Sequence, residues 1–244
     1  MGIALPFFYI ETIDTNTTEI VLNEETSKHI VQVLRMQPGE HIQLTDGKGK
    51  RITAEIADSN RKKCAVTILK STNHKPPTTN IAIAISLLKN VKRFEWFLEK
   101  ATEIGVQEII PLICARTEKQ QFRYERMKTI LVSALLQSQQ CRLPVLHEPV
   151  IYDTLWQSSH VLPKLDTYHQ KFIAHCMEDT KRDLADLINK NLTAKMILIG
   201  PEGDFTAEEV LLAIKHHYIP VSLGNTRLRT ETAGVVAASL LCLA

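Results

Sequence analysis

The stretch Leu223-Gly-Asn-Thr-Arg-Leu-Arg-Thr-Glu-Thr-Ala-Gly-Val-Val-Ala-Ala-Ser-Leu-Leu-Cys-Leu-Ala244 sets Arg227, Arg229 and Glu231 directly ahead of an uncharged run. That run, from Ala233 to Ala244, reads as a helix apolar on every side, and such a helix is buried. Ala233, Gly234, Ala237 and Ala238 permit close backbone packing, either in a slot of the same chain or against a second subunit. Arg227 and Arg229 then stand at the positive end of the helix macrodipole, where a cation is disfavoured by about 0.3–1 kcal/mol. Two cations in that place call for an anionic partner: Glu231, another carboxylate of the chain, or a ligand. Thr230 or Thr232 as helix cap, with Glu231 in the first turn, accounts for the threonines and the glutamate by structure alone. It leaves the arginines unexplained.

Moving back from this stretch, strand and helix patterns alternate. Pro220–Leu223 is a short strand, Ala207–His217 a helix capped by Thr206 with Glu209 three residues on, and Met196–Ile199 a strand. Thr180–Asn191 reads as a charged helix, Lys171–Cys176 as a strand, Glu125–Gln140 as a helix and Ile109–Ile113 as a strand. Arg93–Gly105 carries Phe94, Phe97, Leu98, Ala101 and Ile104 on one face and closes on Gly105. Ile81–Leu88 is a continuous apolar run, as expected of a strand covered on both faces of a parallel sheet. Leu143–Gln170 carries no clear period. The alternation predicts an α/β domain with ligands bound beyond the carboxyl ends of its strands.

Ahead of it, Asn73-His-Lys-Pro-Pro-Thr-Thr-Asn80 reads as an extended linker, because its two prolines forbid a helix. Residues 1–74 read as a small β unit, with strands at Phe7–Ile10, Glu19–Leu22, His41–Leu44, Arg51–Ala57 and Cys64–Leu69. One helix, Glu24–Leu34, carries Ile30, Val33 and Leu34 at helical spacing and is stopped by Pro38-Gly39. Short strands joined by tight turns suggest a small barrel. The division expected is therefore 1–74 and 75–244.

A length of 244 residues allows these two domains, each with its own core. The net charge of +2 leaves any nucleic-acid footprint to local clusters. Five scattered cysteines without a C-x-x-C pair fit reduced thiols better than disulfides or a zinc site. No basic leader precedes the apolar Ile3–Ile10, and the C-terminal apolar run is shorter than the roughly 20 residues of a membrane span. The expectation is a soluble, cytoplasmic protein with no bound metal.

Two glycine-bearing loops follow strands. Ile199-Gly-Pro-Glu-Gly-Asp-Phe205 pairs Gly200 and Gly203, which allow close backbone approach and positive φ, with the stiffening Pro201. It is either an ordinary strand-to-helix turn or a loop that presents backbone groups to a ligand. Leu223-Gly-Asn225 is the second. Neither matches the dinucleotide or P-loop phosphate signatures, and no H-E-x-x-H or G-x-S-x-G motif occurs. His216 and His217 fall at a helix end, where imidazolium suits the dipole. Basic residues cluster at Lys48–Arg51, at Arg61–Lys63, at Lys89–Arg93 and from Arg116 to Lys128. Each cluster alone fits a solvated surface, but the last two follow strands of the α/β domain, and such cations neutralise RNA phosphates.

Leu198-Ile-Gly-Pro-Glu-Gly203 with Phe205 and Glu208 or Glu209, followed by Leu223-Gly224 and Leu228-Arg-Thr-Glu-Thr-Ala233, resembles the SPOUT-class family of ribosomal RNA small subunit methyltransferase E. Lys100-Ala-Thr-Glu-Ile-Gly-Val106 with Pro111, and Val33-Leu-Arg-Met-Gln-Pro-Gly-Glu40, are similar to two further signatures of it. Three departures stand out. Asp204 replaces a second glycine, Leu136 replaces a helix glutamate, and Pro6-Phe7 stand where a basic residue often flanks the aromatic pair.

The resemblance implies a PUA-like barrel, a methyltransferase domain threaded as a trefoil knot, a homodimer through the C-terminal helix, and S-adenosylmethionine as cofactor. The reaction implied is methylation of uridine N3 in 16S rRNA. Cofactor contacts then fall to Leu198, Ile199, Gly200, Glu202, Gly203, Leu223, Gly224, Asn225, Leu228 and Thr232. Arg229 would stabilise charge on the uracil oxygens or orient a phosphate, and Glu231 would orient Arg229 or take the proton. Arg35, Lys63, Lys89, Arg93, Arg116 and Arg142 would hold RNA. Two other readings stay open: a ribose 2'-O methyltransferase of the same fold acting on tRNA, and a non-catalytic RNA-binding ribosome-assembly factor.

Overall fold

The computed structural model describes residues 5–13, 17–157, 165–177 and 181–243. The chain divides into two compact units: Met1–Pro76 with Leu135–Leu143, and Pro77–Ala134 with Pro144–Ala244.

In the first unit, strands β1 (Phe7–Tyr9), β2 (Glu19–Val21), β3 (His41–Thr45), β4 (Lys50–Asp58) and β5 (Ala65–Asn73) form one sheet in the order β1-β3-β4-β5-β2. Only the β1–β3 pair is parallel. Phe8 beside one edge and Leu22 beside the other join a single core with Ile30, Ile42, Leu44, Ile52 and Val66, so both edge strands converge on the same interior. The helical segment begins as α1 (Glu24–Lys28), capped by Asn23, whose Oδ1 accepts the Thr26 N–H at 2.8 Å.

The expected continuation to Leu34 is corrected here. His29–Val33 is a π-helix, with the Leu34 N–H donating five residues back to His29 O at 2.9 Å. The wider turn rotates the helical face, so Ile30 is buried while Val33 and Leu34 are 68% and 42% exposed. Arg35, at φ 56°, ends the segment before Pro38 is reached. Leu135–Leu143, which the linear division at 74/75 assigns to the second domain, packs with this unit. Gly49 N–H donates to Cys141 O at 2.7 Å, Leu143 N–H to Gly47 O at 2.8 Å, and the Arg51 guanidinium reaches Cys141 Sγ and Gln139 O.

The second unit holds β6 (Asn80–Ser86), β7 (Glu108–Ile113), β8 (Val145–Leu146), β9 (Val150–Ile151), β10 (Gln170–Ala174), β11 (Arg182–Asp183), β12 (Ala194–Ile199) and β13 (Ile219–Ser222). Its helices are α2 (Val91–Ile104), α3 (Tyr124–Gln137, of which Leu135–Gln137 group with the first unit), α4 (Leu184–Leu187), α5 (Ala207–Lys215) and α6 (Thr230–Leu243). The strand order is β11-β13-β10-β12-β6-β7-β8, with β9 also on β7, and every pairing is parallel. All six residues of β12 are buried, as two-face coverage demands.

The expected helix Thr180–Asn191 is reduced to the single turn of α4; Thr180 itself lies outside the described residues. The Gln170 side chain ends that turn by accepting the Asn189 N–H and donating to Leu187 O, both at 2.9 Å. α6 packs on α2, β6 and β12, with Gly234 facing Phe97 and Ile85. Among the described residues no helix is long and apolar enough to cross a membrane.

Candidate functional site

β13, β10 and β12 are neighbours in the sheet, and the chain leaves their carboxyl ends around one cavity of about 970 Å³. Three segments line it: Ala174–Cys176 with Lys181, Ile199–Asp204, and Val221–Thr230 with Ala233. Eight of the residues expected to hold cofactor are on that lining, namely Ile199, Gly200, Glu202, Gly203, Leu223, Gly224, Asn225 and Leu228. Leu198 is not; its side chain is wholly buried in the core one residue below. Thr232 sits half-buried in the first turn of α6, also off the lining.

The glycines serve differently from the expectation. Neither Gly200 nor Gly203 has positive φ, and in this loop the left-handed residue is Asp204, at φ 63°. Gly200 is required by proximity, since a Cβ there would lie 3.0 Å from Phe205 Cδ2 and 3.1 Å from the Phe205 backbone nitrogen. Gly203 meets only the Arg116 side chain, at 3.4 Å. Gly224 is the conformational glycine, at φ 115° with open space around it.

Side chains from elsewhere in the unit brace the loops. Arg116 donates from Nη1 to Gly203 O at 2.8 Å and to Phe205 O at 3.3 Å. Buried Glu209 closes the capping box with Thr206 and accepts the Ala115 N–H at 2.8 Å, tying the start of α5 to the segment after β7. Glu202 accepts the Lys89 N–H at 3.2 Å, while Lys89 Nζ pairs with Glu118 at 2.6 Å. That hydrogen bond raises the Lys89 pKa above its ordinary value, so the ammonium stays charged.

Arg227 and Arg229 are exposed on the cavity lining, and their guanidinium groups make no hydrogen bond or ion pair among the described residues; the Arg229 carbonyl accepts the Ala233 N–H at 2.8 Å. The expected partnership of Glu231 with Arg229 is not the one found. The Glu231 carboxylate is buried, with Oε1 3.6 Å from Arg93 Nε and Oε2 without a hydrogen-bond partner. Arg93 therefore faces a carboxylate of its own chain, and Arg116 faces loop carbonyls. Arg142, in the first unit, donates to His74 O at 2.6 Å. Arg35 and Lys63, also of the first unit, are exposed.

The wall at Ala174, His175, Cys176 and Lys181 was not expected. His175 is 6% exposed, and Lys181 Nζ lies 3.5 Å from its Nδ1 and donates to Met177 O. The signal was present in the rule that ligands sit beyond strand ends, which applies to β10 as much as to β12 and β13. No glycine marks this loop in the sequence.

Residues 74–242 match the family model of the RNA methyltransferase domain, and residues 22–69 that of the RNA methyltransferase PUA domain. The ribosomal RNA small subunit methyltransferase E of Rickettsia conorii is 28% identical over 232 residues, covering 94% of this chain and 91% of that protein. A probable rRNA-methyltransferase from Porphyromonas gingivalis, known as a crystal structure, is similar with a TM-score of 0.86 at 36% identity, covering 96% of this chain and 95% of that one. A ribosomal RNA small subunit methyltransferase E from Neisseria gonorrhoeae, solved bound to S-adenosyl methionine, gives 0.82 at 30% identity, covering 97% and 96%.

Proposed function

The chain belongs to the family of RNA methyltransferase domains, here with an RNA methyltransferase PUA domain ahead, and from that membership we propose that it methylates N3 of a uridine in 16S rRNA of the small ribosomal subunit with S-adenosylmethionine. The observation that carries this reading is the convergence of three strand ends on one cavity that two partnerless arginines border.

The residues fit the cofactor. The cavity volume of about 970 Å³ lies within the roughly 300–1,000 Å³ of small-molecule sites. Gly200 has no room for a Cβ, and Gly224 turns the backbone through a left-handed step, so peptide groups rather than side chains form much of the wall. Gly200, Glu202, Gly203, Leu223, Gly224, Asn225 and Leu228 would hold S-adenosylmethionine; Leu198 supports the loop from behind, and Thr232 acts through the helix start. When bound, the cofactor supplies an electrophilic methyl group on sulfonium sulfur.

The remaining work falls to positioning and charge. A paired uridine hides N3, so the target base must be unpaired or extruded. As the N3 proton passes to solvent water, negative charge spreads to the uracil oxygens, and the Arg229 guanidinium, uncommitted on the cavity lining, donates to them. Glu231, sequestered against Arg93, is a positioning residue: it fixes the start of α6 and one cation beside it. RNA phosphates are met by Arg35, Lys63, Lys89 and Arg227.

Val235, Val236 and Leu240 on the outer face of α6 are half-buried, and Leu243 and the α2 residue Trp96 are exposed. That apolar face supports a homodimer through the C-terminal helix. The knotted path and a cytoplasmic location belong to the same reading.

The test is incubation of the protein and labelled cofactor with small ribosomal subunits from a strain deleted for the gene, followed by nucleoside mass spectrometry. N3-methyluridine is expected; a ribose-methylated nucleoside, or no labelled nucleoside, would overturn the proposal.

A further inference from the structure

We infer that Asp204 is a positioning residue that fastens the β10 wall of the cavity to the loop after β12, and that cofactor affinity depends on this tie. The inference rests on the cofactor reading of the cavity. Asp204 stands in a left-handed conformation, φ 63°, uncommon for a residue with a side chain. Its own N–H donates to Pro201 O at 2.9 Å, closing a tight turn over residues 201–204. That turn aims the carboxylate at two backbone donors. Oδ1 accepts the Phe205 N–H at 2.8 Å, and Oδ2 accepts the Cys176 N–H at 2.7 Å.

The second bond joins chain positions 28 apart, and its two ends sit on two different segments of the cavity lining. Cys176 is the second residue after the end of β10, beyond the last ladder pair of Ala174 with Ile199 and Val221. Its neighbour His175 and, further along the chain, Lys181 also stand on the lining. The charge-assisted hydrogen bond from the Cys176 backbone fastens the chain beyond the last ladder pair of β10. The left-handed conformation belongs to the same device, because an extended residue at 204 would point its side chain elsewhere.

Glycine separates the two roles a residue at this position can have. It adopts positive φ without strain, so a purely conformational role predicts that Asp204→Gly binds cofactor as well as the parent does. The tie predicts the opposite. Asp204→Gly and Asp204→Asn would be examined by calorimetry with S-adenosylmethionine and by steady-state methyl transfer to small subunits. In Asp204→Gly the lost bonds and the relieved backbone offset each other, so the cofactor-free Tm stays within about 4 °C of the parent.

Its cofactor Kd and KM rise about ten-fold, equivalent to about 1.4 kcal/mol, with kcat at saturating cofactor within about two-fold. Asp204→Asn keeps the conformation and one acceptor oxygen, and its affinity falls between the two. Hydrogen exchange over residues 172–177 accelerates in the glycine variant. Parent-like Kd in both variants, or unchanged exchange at Cys176, would overturn the tie. Absence of any cofactor binding by the parent protein would instead overturn the reading of the cavity itself.

Discussion

Replacing Gly234 by alanine sets two effects of similar size against each other. Inside α6, alanine gains about 1 kcal/mol of helix propensity over glycine. The added Cβ, however, meets Phe97 Cδ2 and Cε2 at 2.7 Å and Ile85 Cδ1 at 2.9 Å, whereas carbon atoms rest at about 3.5–4.0 Å. Phe97 and Ile85 are both 0% exposed. The Phe97 ring also packs on Phe94 with centroids 6.1 Å apart, so it has little room to yield. Overpacking of this kind costs about 1–3 kcal/mol.

Taking the middle of that range, the variant loses about 1 kcal/mol net, or about 2–4 °C of Tm for a chain of this size. Because Thr230 and Ala233 line the cavity, lifting the start of α6 from α2 also weakens cofactor binding. Urea unfolding followed by circular dichroism gives the first quantity and calorimetry the second. In a Phe97→Leu background the clash with the ring is relieved and only the Ile85 contact remains, so the same alanine costs less, a coupling of about 1–2 kcal/mol. A higher unfolding midpoint for Gly234→Ala alone would refute the packing argument.

Arg229→Ala is expected to lower kcat by about 10²–10³, the usual size for loss of one charge-stabilising donor, while calorimetry finds cofactor affinity nearly unchanged. Gly224→Ala forces a side chain to φ 115° and should cost about 1–3 kcal/mol of local strain, visible as weaker cofactor binding; Gly203→Ala, with negative φ and only Arg116 nearby, should be far milder in the same titration. Cys64, Cys114 and Cys141 are buried and Cys176 is exposed on the lining. Burial, with Glu209 nearby, pushes the Cys114 thiol up to about 12, and burial pushes Cys242 up to about 11. Both remain protonated at pH 8, so a thiol reagent should modify Cys176 first, and S-adenosylmethionine should slow that modification; mapping the labelled peptide with and without cofactor checks both statements.

The strands of the second unit were readable because burial on both faces leaves a run such as Ile81–Ile85 without polar interruption. Helix ends were readable where one residue type carries the geometry, as Gly105 does at φ 98° and Thr206 with Glu209 in the capping box. What could not be read depends on partners distant in sequence or on a change of helical register. Val33 and Leu34 keep an α-helical spacing that a π-turn cancels. The Glu231–Arg93 pair spans the unit, and at close range Arg229 is the nearer cation along the chain. Leu135–Leu143 joins the first unit through Arg51 and Gly49, neither of which leaves any periodic trace. In the 199–205 loop the glycines pointed to the right place for the wrong reason: Gly200 is needed for its missing Cβ, and the left-handed step falls on Asp204.

The commitments of the basic residues bear on how RNA is held. Arg93, Arg116 and Arg142 were expected on phosphates, yet each meets a carboxylate or carbonyl of its own chain. A guanidinium used in that way is not free to displace a counterion from RNA. The Lys89–Glu118 pair is different, since both side chains are more than half exposed and such surface pairs are worth about 0–1 kcal/mol; Lys89 can exchange Glu118 for a phosphate. Arg35, Lys63, Lys89 and Arg227 are left for the proposed phosphate contacts, and four contacts at about 0.7 each give a slope of about −2.8 for log affinity against log salt on single-stranded RNA. Lys63→Gln should reduce that slope by about 0.7. Arg116→Gln should leave it unchanged and weaken cofactor binding instead, because Arg116 holds the Gly203 and Phe205 carbonyls. Filter binding across a salt series measures both variants, and a smaller slope for Arg116→Gln would return that arginine to the RNA.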